Sequence, residues 1–180
     1  MRILFDGTVC LAYAQMYVTS TDGPVMEEAF AGQSNGLCGA AVDGALFLMT
    51  GTHTGFVRFA VEWHDTEPLP AGGEWEEVVE ASFTPRRDDV RLLEWDGAST
   101  HSLDLGRAAG VAHRVRYCAS GLARRREDVG GAYADVAEDR YLLVFWPDPE
   151  LRPDAVLRQT DDRAASLHRW ARELRSSEVH

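Results

Sequence analysis

The 180-residue chain predicts an all-β fold, an antiparallel β-sandwich or partly closed barrel of about eight strands with a C-terminal α-helix. Three observations carry that prediction. Short runs rich in Val, Phe, Tyr and Leu recur at near-regular spacing, separated by Gly, Pro and Asp turn signals. Two of these runs, Phe56–Trp63 and Trp75–Phe83, alternate strictly in side-chain character, the period of a half-buried strand. Sustained helical spacing shows only near the end of the chain, so the strand–helix alternation of a parallel sheet is missing. Residues 1–180 are expected to form one domain, large enough to bury a real core.

In chain order, residues 2–5 start a short strand that Asp6-Gly7 is expected to break. Residues 9–19 then read as one long strand, with Met16 and Val18 on the core side. A helical turn over Val25–Phe30 leads into a glycine-rich stretch, Phe30–Gly55, that holds six glycines and the most apolar run of the chain, Ala45–Met49. Within it, Leu37–Val42 and Ala45–Thr50 are expected to pair as a hairpin about Asp43-Gly44, both turn residues at positive φ. His64–Gly73 is a loop, broken by Pro68, Pro70 and Gly72-Gly73. Val90–Trp95 and His101–Leu105 flank an Asp96-Gly97 turn, and Ala112–Ser120 alternates again. Gly121–Asp139, with its Arg124-Arg125-Arg126 run, reads as a long loop. Tyr141–Trp146 is apolar throughout, as for a strand buried on both faces; an oligomeric role follows if it sits at an edge. A helix over about 160–175 has Thr160 as its N-cap, acids in the first turn and arginines toward its end. Ala164, Leu167, Trp170, Ala171 and Leu174 share its buried face.

Composition narrows the function. The hydrophobic share of 45% is that of a globular chain. No apolar run approaches the roughly 20 residues of a membrane span, and Asp6-Gly7 interrupts what would be a signal peptide, so a cytoplasmic location is expected. Cys10, Cys38 and Cys118 are odd in number and form no C-x-x-C pair, which argues against a disulfide framework and a zinc site and for buried thiols. All 18 basic residues are arginine, and the net charge is −11. Residues 1–90 carry 14 acids against 4 arginines, whereas residues 91–180 carry 15 against 14. The densest acidic segment, Glu62–Glu80, holds seven carboxylates and no arginine. Such a surface repels phosphate backbones and steers basic proteins, so direct nucleic-acid binding is not expected and a basic protein partner is.

Catalytic patterns are weak. Gly32-Gln33-Ser34-Asn35-Gly36 matches a nucleophile elbow in letters, but the strand and helix that must flank it are missing. A phosphate loop needs a lysine, and the chain has none. His53 sits between glycines without a partner at metal-ligand spacing, and Glu62 with His64 lacks a third ligand. No catalytic residue, metal or cofactor is assigned.

The order of features resembles the competence protein J family, small acidic β-proteins that inhibit a partner nuclease in competent bacteria. Tyr13, Gln15 and Val18 match a Tyr-x-Gln-x-x-Val pattern in that family's first strand. Trp75–Phe83 and the passage from Ser102 to Tyr117 follow its later strands, with a longer insertion at Gly106–Ala112. The likeness covers residues 9–146 and includes no catalytic signature. It implies an all-β binding protein, an inhibitor or immunity protein.

Two functional readings follow. In the first, the chain neutralises a basic partner such as a nuclease or toxin through Glu62, Trp63, Asp65, Glu67, Glu74, Trp75, Glu76 and Glu77. In the second, it is a small-molecule binding module or enzyme whose pocket is walled by Gly32–Gly55. Gln33, Asn35, Thr50 and His53 would then have to converge in one concavity.

Overall fold

The computed structural model describes residues 1–94, 99–123 and 136–177. Trp95, the Asp96-Gly97 turn and the Arg124–Arg126 run lie outside them. The described chain forms two open sheets that share one hydrophobic core, with a helix at the C-terminal end.

The larger sheet is built from β1 (Arg2–Leu11), β5 (Gly55–Trp63), β6 (Glu77–Phe83), β9 (His113–Ser120), β10 (Val136–Pro147) and β11 (Ala155–Arg158), in the order β1-β5-β10-β9-β6-β11. Its ladders are antiparallel except for the parallel pair β5–β10. The smaller sheet holds β2 (Gln15–Thr19), β3 (Cys38–Gly39), β4 (Ala45–Met49), β7 (Val90–Leu93) and β8 (Thr100–Leu103), in the order β3-β4-β2-β7-β8. Eleven strands among the described residues exceed the expected eight. The strand with no expected counterpart is β11; β1, β2 and β3 fall within stretches where strands are expected, with different bounds. Neither sheet closes into a barrel.

The period-two reading of β5 holds: Val57, Phe59, Val61 and Trp63 are buried in the core while Arg58 is exposed. β10 lies between β5 and β9 rather than at an edge, so no free edge is offered by its apolar run. Tyr141, Leu143 and Phe145 enter the core. Val144 and Trp146, on the opposite face, are also buried. The run Tyr141–Trp146 is apolar throughout because both faces of the strand are covered there.

Three local expectations are corrected. β1 does not break at Asp6-Gly7, because the ladder with β5 continues through Asp6↔Ala60 and Gly7↔Phe59. The break falls instead at Tyr13-Ala14, where the chain passes from one sheet to the other with both residues at φ 57°. No glycine supplies that left-handed pair. It is held by two backbone hydrogen bonds, from Ala14 N–H to the His53 carbonyl (2.9 Å) and from Thr50 N–H to the Ala14 carbonyl (3.0 Å). At Asp43-Gly44 only Gly44 has positive φ. β3 shrinks to two residues because the next donors are diverted, Ala40 N–H to the Gln33 side chain (2.5 Å) and Ala41 N–H to the Ala29 carbonyl (2.9 Å). That carbonyl belongs to α1 (Met26–Ala29), the expected helical turn.

The terminal helix α2 (Asp162–Ser177) starts one residue later than expected. Asp161, not Thr160, caps it, its carboxylate accepting the Ala164 N–H at 2.8 Å. Ala164, His168 and Ala171 are buried, and the Trp170 ring meets Phe30 edge-on at 5.3 Å. The helix sits close enough that a Cβ on Gly36 would overlap the Leu167 carbonyl. Gly36 N–H donates to Nδ1 of His168 at 2.9 Å, which fixes the neutral ring with its proton on Nε2. Burial, reinforced by Arg172 and opposed by Asp154 and Asp161, pushes the His168 pKa down to about 4.

The Tyr13-Ala14 corner yields a stability prediction. A left-handed conformation costs about 1 kcal/mol or more for a residue with a Cβ, and Asn-Gly is the pair this geometry prefers. The double substitution Tyr13→Asn/Ala14→Gly is expected to stabilise the protein by about 1–2 kcal/mol in urea unfolding. An unchanged or lowered midpoint would show that the Tyr13 ring, edge-on to His53 at 5.5 Å, returns as much as the backbone loses.

Candidate functional site

The outer face of the larger sheet, away from the core, is organised around a buried carboxylate. On β6 the Glu80 side chain lies between two arginines of β9, with Arg114 Nε at 3.2 Å and Arg116 Nε at 2.9 Å. Residues i and i+2 of a strand share a face, so Arg114 and Arg116 point the same way, and the β6–β9 register sets Glu80 opposite Arg116. All three are buried. Arg114 Nη1 also donates to the Arg152 carbonyl (2.9 Å). Arg116 lies over the Trp146 ring at 5.2 Å and donates to the Leu69 carbonyl at 2.7 Å.

That last bond ties down the loop over residues 64–76. Arg158 of β11 donates to the carbonyls of Ala71 (3.0 Å), Gly72 (2.6 Å) and Trp75 (2.8 Å). Arg140 of β10 stacks on the Trp75 ring at 5.1 Å and donates to the Glu74 carbonyl at 3.4 Å. The arginine-rich second half of the sequence therefore holds the acidic first half mainly by its backbone oxygens. The carboxyl-bearing residues Asp65, Glu67 and Glu74 remain exposed, with Glu67 reaching Arg152 at 3.5 Å.

The structure divides the predicted acidic set. Asp65, Glu67 and Glu74 are exposed; Glu62, Trp75 and Glu76 are half-buried. Glu62 accepts a hydrogen bond from His64 Nε2 at 2.9 Å. Glu76 accepts the Gly121 N–H at 2.6 Å. Trp63 belongs to the core, against His113 at 5.5 Å and with the Arg2 guanidinium 5.8 Å from its ring. Glu77 is fully buried, where its Oε1 accepts the N–H groups of Thr160 (2.7 Å) and Asp161 (2.9 Å) ahead of α2. Burial raises its pKa, with those two backbone bonds working in the opposite direction. Trp63 and Glu77 thus hold the fold from inside.

The glycine-rich set does not converge. Gln33 and Asn35 are buried in their own loop, Gln33 donating to the Cys38 carbonyl (2.9 Å) and Asn35 Oδ1 accepting the Leu37 and Cys38 N–H groups (3.1 and 2.8 Å). The Asp154 carboxylate binds this loop from β11's end, accepting the N–H groups of Ser34 (2.8 Å) and Asn35 (2.6 Å) and the Ser34 hydroxyl (3.0 Å). Thr50 is buried and donates to the Thr52 carbonyl at 3.0 Å, while His53 is half-buried with Nδ1 2.9 Å from the Thr54 hydroxyl. Asp139 of β10 clasps the segment between them. It accepts from Thr52 N–H (2.9 Å), the Thr52 hydroxyl (2.7 Å) and the Tyr141 hydroxyl (2.5 Å), and Tyr141 in turn accepts the Gly51 N–H at 2.7 Å. These polar groups face protein partners.

A cavity of about 400 Å³ does lie under loop 64–76, floored by Leu142, Val144 and Cys118 and bordered by Glu62, Glu74 and Trp75. Burial pushes the Cys118 thiol up to about 12, as it does that of Cys38, so neither is a ready nucleophile. Among the described residues no three His, Cys, Asp or Glu side chains gather as a metal site. No described helix is long and apolar enough to cross a membrane.

No protein-family model matches the chain, and no curated protein sequence does. Two solved structures are similar to it, and the first shares its fold. One is ComJ, inhibitor of the DNA-degrading activity of NucA, from Bacillus subtilis, at a TM-score of 0.52 and 16% identity over 82% of this chain and 98% of ComJ. The other is the crocagin biosynthetic gene J protein, at a TM-score of 0.48 and 14% identity over 80% of this chain and 99% of that one. At such identities the likeness is one of fold, and the weak resemblance to the competence protein J family is shown at that level.

Sequence reading misses Arg114, Arg116, Arg140 and Arg158 as the fasteners of the loop. The visible signal is two arginines at i and i+2 in a strand that also carries Val115, Tyr117, Cys118 and Ala119. Replacing Glu80 by Gln leaves two guanidinium groups buried without their carboxylate and is expected to destabilise the protein by about 3–5 kcal/mol. Urea unfolding measures the loss, and faster proteolysis within residues 64–76 should accompany it.

Proposed function

We propose that this chain is a non-enzymatic acidic binding protein that inhibits a basic protein partner, a nuclease or toxin. We read its two sheets as the layers of a β-sandwich in a single domain, working in the cytoplasm, where its three free cysteines stay reduced. The observation that carries the reading is the fastened acidic loop: Asp65, Glu67 and Glu74 are presented on a backbone that three arginines hold from below. Preorganised carboxylates steer a cationic surface and lose little entropy on docking. The fold shared with ComJ supports inhibition as the outcome of that docking, and the net charge of −11 supports a basic partner.

The interface we assign is smaller than the acidic run in the sequence. It consists of Glu62, Asp65, Glu67, Glu74 and Trp75, with Glu76 at its border and Trp63 and Glu77 behind it. Titration of this chain into DNA-degradation assays of the source organism's own nucleases tests the reading. One nuclease is expected to lose activity at one-to-one stoichiometry, with inhibition weakening as salt rises above about 0.15 M. Full activity of every nuclease at low salt, with no complex in sedimentation, would overturn it.

A further inference from the structure

We infer that the cavity under loop 64–76 receives an arginine side chain presented by the protein partner. The partner comes from the inhibitor reading above, on which this inference rests; the chemistry of the occupant comes from the cavity. Its floor is aliphatic, formed by Leu142 and Val144 on β10, and Leu69 and Pro68 add apolar surface from the loop. That is a lining for a methylene stem rather than for a small polar ion. At its border stand two carboxylates, Glu62 and Glu74. The Glu74 carboxylate, unlike its carbonyl, takes no hydrogen bond or ion pair among the described residues, and it folds back onto Gly72, where a Cβ would displace it. The guanidinium in the wall, Arg116, is already committed to Glu80, to the Leu69 carbonyl and to the Trp146 ring, so it does not meet the charge of Glu74.

Arginine fits this lining better than lysine. A planar guanidinium engages carboxylates through paired N–H groups and stacks on aromatic faces, whereas an ammonium does neither as well. The Trp75 ring at the border already takes one guanidinium, that of Arg140 at 5.1 Å. The volume of about 400 Å³ admits a full side chain.

The test uses the full chain and a blocked arginine, Nα-acetyl-arginine methylamide, with binding read from NMR shifts of the Trp75 indole and the His64 ring. Blocked citrulline, the neutral isostere, is the first control, and is expected to bind at least tenfold more weakly. Glu74→Gln is expected to weaken blocked arginine by a similar factor. Gly72→Ala, which keeps the charge but moves the Glu74 carboxylate, should weaken it several-fold. Equal binding of citrulline and arginine, or no response to Glu74→Gln, would overturn the inference. Agmatine binding a hundredfold tighter than blocked arginine would also overturn it, because the site would then serve a free amine. If a nuclease is inhibited while blocked arginine leaves Trp75 and His64 unmoved, this inference fails and the inhibitor reading stands. If the cavity selects blocked arginine while no nuclease is inhibited, the inhibitor reading alone falls.

Discussion

Glu80 is the carboxylate on which the outer half of the molecule depends. A strand of the larger sheet places Arg114 and Arg116 side by side on its outer face, and two unmatched guanidinium groups there would not remain buried. Glu80, opposite on β6, matches them. Arg116, so fixed, stacks on Trp146 and holds the Leu69 carbonyl, which closes loop 64–76 over the sheet. Burial of Trp146 and Val144, the position of Trp75 and the cavity beneath the loop all follow from that chain of contacts.

On the other side of the sheet, glycines let backbone pack on backbone. Gly36 admits the helix carbonyl of Leu167, and Gly51 brings its segment against the Leu122 backbone while Asp139 and Tyr141 take up the N–H groups of Gly51 and Thr52. The residues that look most like a catalytic loop, Gln33 to Asn35 and Thr50 to His53, are consumed in building these contacts. Their polarity is explained by buried hydrogen bonds that must be satisfied.

Much of this was legible in the sequence where the two faces of a strand see different surroundings. Phe56–Trp63 reads correctly because its alternation reflects core against exterior, and the same alternation already sets Trp63 with Val57, Phe59 and Val61. The Tyr13-Ala14 corner was not legible, since its left-handed pair is enforced by hydrogen bonds to Thr50 and His53 rather than by glycine or asparagine. Glu77 and Glu80 were not legible either. A carboxylate in an alternating strand reads as solvated until its partners, Arg114 and Arg116 or the N–H groups ahead of α2, are known to face it. The exposed part of the acidic segment was readable because loops with Pro and Gly lie at surfaces. What fastens it came only with strand pairing.

The account stands on a local acidic surface rather than on overall charge, and a matched charge-reversal experiment separates the two. Asp65, Glu67 and Glu74 changed together to arginine alter the net charge as much as Asp22, Glu27 and Glu28 changed together, and all six residues are exposed. Affinity for the proposed nuclease partner at fixed salt is the quantity to measure. The account predicts that the loop variant loses at least a hundredfold in affinity while the distant variant loses less than tenfold. Equal losses in the two would contradict it, because binding would then follow total charge and not the surface that Glu80 and its arginines hold in place.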